Sequence, residues 1–202
     1  MTGRPNRPRP QSGNGGRSVL GPALDPMRQD TIRLRDGRAA TIRPATEDDA
    51  AALQENINAI GAEIDFILTE GVGDDVEHEK EWLRHFDGTT SVLFVSLVDG
   101  RLVGQADVHA GRPPKETHVG TLGIAIREGY RDVGLGRALV DRCLEWMRDR
   151  QFRKASLEVF STNTRAIALY KKLGFVIEGV RPRQYRIRGE WVDDILMGKW
   201  LG

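Results

Sequence analysis

The chain has 202 residues, of which 39% are hydrophobic and 29% charged, and its formal net charge is +1. That length suits one domain with an appendage, and the near-zero charge leaves no global field to imply a nucleic-acid or membrane partner. Cys143 is the one cysteine, so an intrachain disulfide and a cysteine-rich metal site are excluded, and with no apolar run near the roughly 20 residues of a membrane span a reducing, cytoplasmic location is expected.

Residues 1–29 are rich in Arg, Pro, Gly, Ser and Asn. So few apolar side chains cannot offset the entropy of ordering, so this stretch is expected to be a disordered tail, with the domain occupying 30–202. The tail lacks the apolar core of a secretion signal. Arg4, Arg7, Arg9 and Arg17 meet no acid before Asp25, which permits weak contact with RNA; a solvated extension without function is the plainer reading.

Ile32, Leu34, Ala40 and Ile42 flank the turn dipeptide Asp36-Gly37 and read as two short extended segments. Pro44 ends them. Thr46, Asp48 and Asp49 supply an N-cap and first-turn acids for a helix through Ala52, Leu53, Ile57 and Ile60. A second helix is predicted from Val76 to Phe86 with Trp82, Leu83 and Phe86 buried. Ser91 to Val98 and Arg101 to His109 flank Asp99-Gly100, the pair best suited to a tight hairpin. His118 to Ile126 reads as a strand, and Gly134 to Arg150 as a helix with Leu135, Leu139, Cys143 and Trp146 on one stripe. Ala155 to Phe160 is a strand, and Thr164 to Leu173 a short helix stopped by Gly174. Phe175 to Arg183 and Val192 to Trp200 are the last strands. This order implies an α/β sheet covered by helices.

The segment Tyr130-Arg131-Asp132-Val133-Gly134-Leu135-Gly136-Arg137-Ala138 lies between a strand and an amphipathic helix. Glycines there let the backbone approach a ligand, and the free N–H groups of a first helical turn can cradle a pyrophosphate. By itself a Gly-x-Gly turn also fits an ordinary strand-to-helix connection. A dinucleotide fingerprint would need a third glycine where Leu139 stands, although Glu158 occupies the place of a ribose-binding acid. A Walker loop is excluded, since no Gly-x-x-x-x-Gly-Lys-Ser/Thr occurs.

Arg131-x-x-Gly134-x-Gly136 resembles the acetyl-CoA signature of the GNAT superfamily of N-acetyltransferases. Asn163-x-x-Ala166-x-x-Leu169-Tyr170-Lys171-Lys172-Leu173-Gly174-Phe175 is similar to that family's second coenzyme A segment. The likeness spans about 31–201. It implies a single mixed, mostly antiparallel sheet with a central splayed parallel pair and helices on both faces. It also implies acetyl-CoA as cosubstrate and direct transfer to a primary amine in a ternary complex. Ile124, Ala125 and Ile126 would pair with the pantetheine arm, residues Asp132 to Ala138 would hold the pyrophosphate, and Arg131, Asn163, Ala166, Tyr170 and Lys172 would complete the cofactor site.

Transfer from a thioester to an amine needs a free amine, a donor for the developing oxyanion and a proton for the departing thiolate. The resemblance puts the oxyanion donor on the strand at Ile124 to Ile126 and the acid at Tyr170; that ring can also simply pack the core. Glu158 is the candidate base, with His118 and Asp107 as rivals, and each could equally be solvated or structurally paired. His78, His85 and His109 have no metal-ligand spacing. Cys143 falls on a buried stripe and reads as core, not as a nucleophile.

The acidic run from Glu63, Asp65 and Glu70 through Asp74, Asp75, Glu77 and Glu79 could attract a cationic amine such as a polyamine, an amino acid or a peptide N-terminus. Arg181, Arg183, Arg186 and Arg188, interleaved with Tyr185 and Trp191, could meet an acidic acceptor or guard a strand edge. Two other classes fit less of the chain: a coenzyme A-binding module without turnover, and an RNA-associated protein using the basic tail. Exchange of the last strands in a homodimer is left open.

Overall fold

The computed structural model describes residues 25, 27–63, 65–69, 71–73, 75–111 and 113–202. Most of the stretch expected to be a tail therefore lies outside the described residues. Met27 packs on the core, and Arg28 pairs with Asp30 and Glu145 at 2.9 and 3.1 Å.

Among the described residues, eight strands form one sheet in the order β1-β2-β3-β4-β5-β6-β8-β7. The strands are β1 (Asp30–Arg33), β2 (Ala39–Pro44), β3 (Ser91–Val98), β4 (Arg101–Ala110), β5 (Val119–Ile126), β6 (Lys154–Phe160), β7 (Val176–Ile187) and β8 (Glu190–Trp200). Every neighbouring pair is antiparallel except β5 and β6. The helices are α1 (Ala50–Gly61), α2 (Val76–Leu83), α3 (Leu135–Asp149) and α4 (Thr164–Lys172). This is the expected mixed sheet with a central parallel pair.

The helices divide between the two faces because the strand pleat sends alternate side chains opposite ways. Leu135, Leu139, Cys143, Trp146 and Met147 of α3 pack with Phe94, Ala106, Val108, Leu122 and Leu157. Trp146 is fully buried, and truncating such a ring to Ala costs on the order of 3–5 kcal/mol. On the other face Ala50, Leu53 and Leu83 cover Leu93, Val95 and Leu102.

Local chemistry explains the boundaries. Asp99 and Gly100 both have positive φ, 48° and 76°, as a two-residue hairpin turn of matching twist requires. Thr46 opens a 3-10 turn at Glu47–Asp49, not α1 itself; its N–H donates to Asp49 Oδ2 at 2.8 Å. Arg43 holds that carboxylate with two bonds of 2.7 Å. The second helix stops at Leu83, short of the predicted Phe86, because the last N–H groups turn to carbonyls three residues back: His85 to Trp82 and Phe86 to Leu83, each 3.1 Å. Trp82 is correspondingly 36% exposed, not buried, and its ring stands on edge to Phe86 at 4.8 Å. The last two strands run further than predicted and meet at Arg188-Gly189, where φ is 50° and 88°.

Candidate active site

The parallel pairing of β5 and β6 runs from Val119 opposite Lys154 to Thr121 opposite Ser156 and then stops. Beyond it each strand follows its outer neighbour, β5 along β4 to Ile126 and β6 along β8 to Phe160. A gap opens between them.

Antiparallel pairing alternates bonded and non-bonded residue pairs. Arg127 N–H donates to Val103 at 2.9 Å at one end of the β4–β5 ladder, and Gly111 N–H to Val119 at 2.9 Å at the other. Two residues apart, the Ala125–Gln105 and Gly123–Asp107 pairs are therefore bonded, whereas Ile124 and Ile126 turn their backbone groups toward the gap. Of the three residues expected to pair with pantetheine, Ala125 has its N–H and C=O committed to β4. The Ile126 carbonyl accepts from Arg131 Nε at 2.7 Å.

At the end of the gap stands the glycine turn. Asp132 and Gly134 have φ of 60° and 96°, so successive N–H groups converge. Gly134 is the N-cap of α3 and, as a glycine, has no side chain to cap the helix, whose first turn carries no acid. A Cβ on Gly136 would lie 3.2 Å from Ile126 Cδ1 and 3.5 Å from Leu169 Cδ2, so the bare backbone is what lets α3 start so close to β5. The Arg35 N–H donates to the Val133 carbonyl at 2.9 Å, tying the β1–β2 turn to the glycine turn.

These elements bound a cleft of about 650 Å³. Among the residues anticipated from sequence, Ile124, Ala125, Ile126, Arg131, Asp132, Gly134, Gly136, Arg137, Glu158, Asn163, Ala166, Tyr170 and Lys172 line it. Val133, Leu135 and Ala138 do not line it; Leu135 is fully buried and the other two pack against the core. Asn163 caps α4, its Oδ1 accepting from Ala166 N–H at 3.1 Å. Arg131 is wholly engaged: besides Ile126 it donates to both Glu63 oxygens at 2.6 and 2.8 Å, and its guanidinium lies 4.4 Å from the Phe66 ring.

Tyr170 is buried beside Phe175, ring centres 5.8 Å apart, and its hydroxyl has no hydrogen-bond partner among the described residues. Burial pushes its phenol pKa up, so at neutral pH it keeps its proton. Cys143 is buried and free; burial pushes its thiol up as well, which removes it as a nucleophile.

On the face of the sheet away from α3, several carboxylates gather. Asp107 extends over Gly123, where a Cβ would meet its Oδ1 at 2.7 Å, and lies 3.3 Å from His109 Nε2. Glu158 accepts from Arg181 Nη1 at 2.8 Å, and so does Asp194. Asp194 was not anticipated as a site residue, and a charge inside the apolar run of β8 was the available signal; Arg181, read from sequence as meeting an acidic acceptor or guarding a strand edge, bonds these two carboxylates. Tyr185 stands at 5.0 Å from Phe160 and lines the cleft. His118 is exposed and lies at the paired end of β5, outside the cleft.

The charge runs are also resolved. Glu63 belongs to Arg131 and Asp65 to Arg188; Asp75 caps α2, accepting from Glu77 and His78 N–H groups at 3.0 and 3.2 Å; Glu77 pairs with Lys80 at 2.7 Å. Among the described members of the acidic run, Glu63, Asp65 and Glu77 are thus paired with cations of the chain itself. Glu70 and Asp74 lie outside the described residues.

The model of the Acetyltransferase (GNAT) family matches residues 62–175, more than half of the chain. The chain belongs to the GNAT acetyltransferase family. Among its GNAT relatives, the L-amino acid N-acetyltransferase AaaT of Escherichia coli is 32% identical over 109 residues, 52% of this chain and 65% of that protein. The N-alpha-acetyltransferase RimI of Mycobacterium tuberculosis is 39% identical over 120 residues, 58% of this chain and 73% of that one. Among solved structures, a GNAT acetyltransferase from Streptococcus pneumoniae superposes with a TM-score of 0.76 at 30% identity, covering 81% of this chain and 99% of its own.

Proposed function

We propose that this GNAT chain is an N-acetyltransferase that moves acetyl from acetyl-CoA to a primary amine within a ternary complex. The observation that carries the reading is the gap between β5 and β6, edged by the Ile124 and Ile126 backbone and closed by the uncapped first turn of α3. Relatives named for amino-acid and N-alpha acetylation support an amine as acceptor.

Acetyl-CoA would supply an activated acyl group and a thiolate leaving group. The N–H groups of the first turn of α3, from Leu135 to Arg137, would bind its pyrophosphate, with Arg35 and Lys172 at the rim. The Ile124 and Ile126 backbone groups would hold the pantetheine arm, and one of their N–H groups would face the negative charge that develops on the carbonyl oxygen. Glu158, across the gap on β6, would take the amine proton, positioned by Arg181. Tyr170 would give its proton to the sulfur. Cys143, being buried, offers no thiol to carry the acetyl group.

Calorimetry with acetyl-CoA, followed by an assay of thiol release with a panel of amines, tests the reading. Saturable binding with a raised melting temperature is expected, since a ligand selective for the folded state stabilises it. Absence of both would end the proposal.

A further inference from the structure

The acceptor half of the cleft has two walls: the segment joining α1 to α2, whose Phe66 to Thr69 line it, and the β7–β8 hairpin, which contributes Tyr185. Two arginines fasten the first wall. From the glycine turn, Arg131 holds Glu63 and stacks on Phe66, and Arg165 of α4 approaches the same ring at 5.8 Å while bonding Asp132 at 2.7 Å. From the opposite wall comes Arg188. Its Nε and Nη2 donate to the two oxygens of Asp65 at 3.0 and 3.2 Å, and Nη2 also donates to the Glu63 carbonyl at 2.9 Å.

Arg188 occupies the first position of the hairpin turn with φ of 50°, a left-handed backbone that Asn, Asp or Gly adopts more readily. An arginine there accepts a strained conformation. In return its planar fork reaches across and meets a carboxylate with both prongs, as the shorter Lys ammonium does not.

We propose that Arg188 is a specificity-determining residue: its clasp on Asp65 and Glu63 bridges the outer rim of the acceptor half, so the site takes a small free amine of amino-acid size and disfavours a polypeptide N-terminus. A small acceptor can enter and be enclosed whole. A peptide must keep a continuous channel open from its reacting nitrogen to the outside, and a clasp that joins the two walls narrows the room for one. The substrate consequence rests on the acetyl-transfer reading; the clasp itself does not. Both side chains are well exposed, at 61% and 45%, and a single exposed pair shifts an equilibrium by about fivefold at most, so the clasp discriminates without barring.

The test compares the full chain with Arg188→Ala, Asp65→Asn and Arg188→Lys, using free L-amino acids and short peptides that begin with the same residues, at saturating acetyl-CoA. The wild type should prefer the free amino acid. Arg188→Ala and Asp65→Asn should raise kcat/KM for the peptide by about three- to fivefold, through KM, with the free amino acid and the KM for acetyl-CoA changed by less than about twofold. Arg188→Lys should fall between. A wild type that prefers peptides, or an unchanged peptide-to-amino-acid ratio in both variants, would overturn the proposal. Amide hydrogen exchange needs no acceptor: residues 65–69 and 185–190 should exchange faster in Arg188→Ala than in wild type, and equal rates would also sink the clasp. If acetyl-CoA bound and no amine were acetylated, the transfer reading would fall and the exchange rates would still decide the clasp.

Discussion

Glu158 and Asp194 accept hydrogen bonds from one and the same nitrogen, Arg181 Nη1, at 2.8 Å each. Two carboxylates drawn to one guanidinium crowd each other. Burial, and then the Glu158 charge, push the Asp194 pKa up, and Arg181 offsets this only in part. Glu158→Gln keeps the shape and removes the proton acceptor, so kcat is expected to fall by at least about tenfold with acetyl-CoA affinity intact. Parallel loss of affinity, measured by calorimetry, would place Glu158 in the cofactor site.

The same pair makes a prediction about stability and pH. A carboxyl whose folded pKa is raised binds its proton more tightly when folded, so its favourable contribution is complete below the unfolded value and is lost as pH rises through the raised one. Asp194→Asn, which abolishes that titration, should therefore match or exceed wild type at pH 7, by about 2 °C in Tm, and lose the advantage toward pH 4. A variant much less stable at pH 7 and recovering in acid would show the opposite sign.

Asp87 gives the opposite case. Burial pushes its pKa up, but the Thr90 hydroxyl and the N–H groups of Thr89, Thr90 and Ser91 outweigh it and bring the carboxyl down to about 2. Its contribution is present above the unfolded value and lost as pH falls through the folded one. Asp87→Ala should lower Tm clearly at pH 6 and by less at pH 3, because between the two pKa values the unfolded chain gains a proton that the folded carboxylate does not take up. A constant difference between the two would mean that the lost bonds do not depend on charge.

Gly136→Asp should abolish acetyl-CoA binding. A Cβ there already presses on Ile126 and Leu169, and a carboxylate would meet the pyrophosphate at the head of α3. Gly134→Asp adds a side chain to a residue at φ of 96° and should do the same. Undiminished binding in both would relocate the site.

Tyr170→Phe keeps the ring against Phe175 and removes only the hydroxyl. General acid catalysis is worth on the order of 100- to 10,000-fold, so a marked fall in kcat is expected wherever thiolate protonation limits the rate, with acetyl-CoA affinity preserved. A fall of less than about threefold with chemistry shown to be the slow step would leave Tyr170 a packing residue.

Much of this was legible in the sequence because it is local. The Asp99-Gly100 turn, the α3 stripe ending at Trp146 and the glycine turn at Gly134 and Gly136 each depend on residues a few positions apart, where backbone φ and helical or pleated periodicity act directly. Tertiary structure decided the rest. The alternation that commits Ala125 to β4 and frees Ile124 and Ile126 depends on ladder register, which one strand's letters do not carry. The two charge runs, around Glu63 and around Arg188, look in sequence like separate substrate surfaces. In the fold they are partners, since Arg188 and Asp65 stand 123 positions apart and meet only because β7–β8 folds back over the α1–α2 segment. Charge is written residue by residue, but whether it faces solvent, a substrate or its own opposite is set by distance and dielectric, and those exist only once the chain has folded.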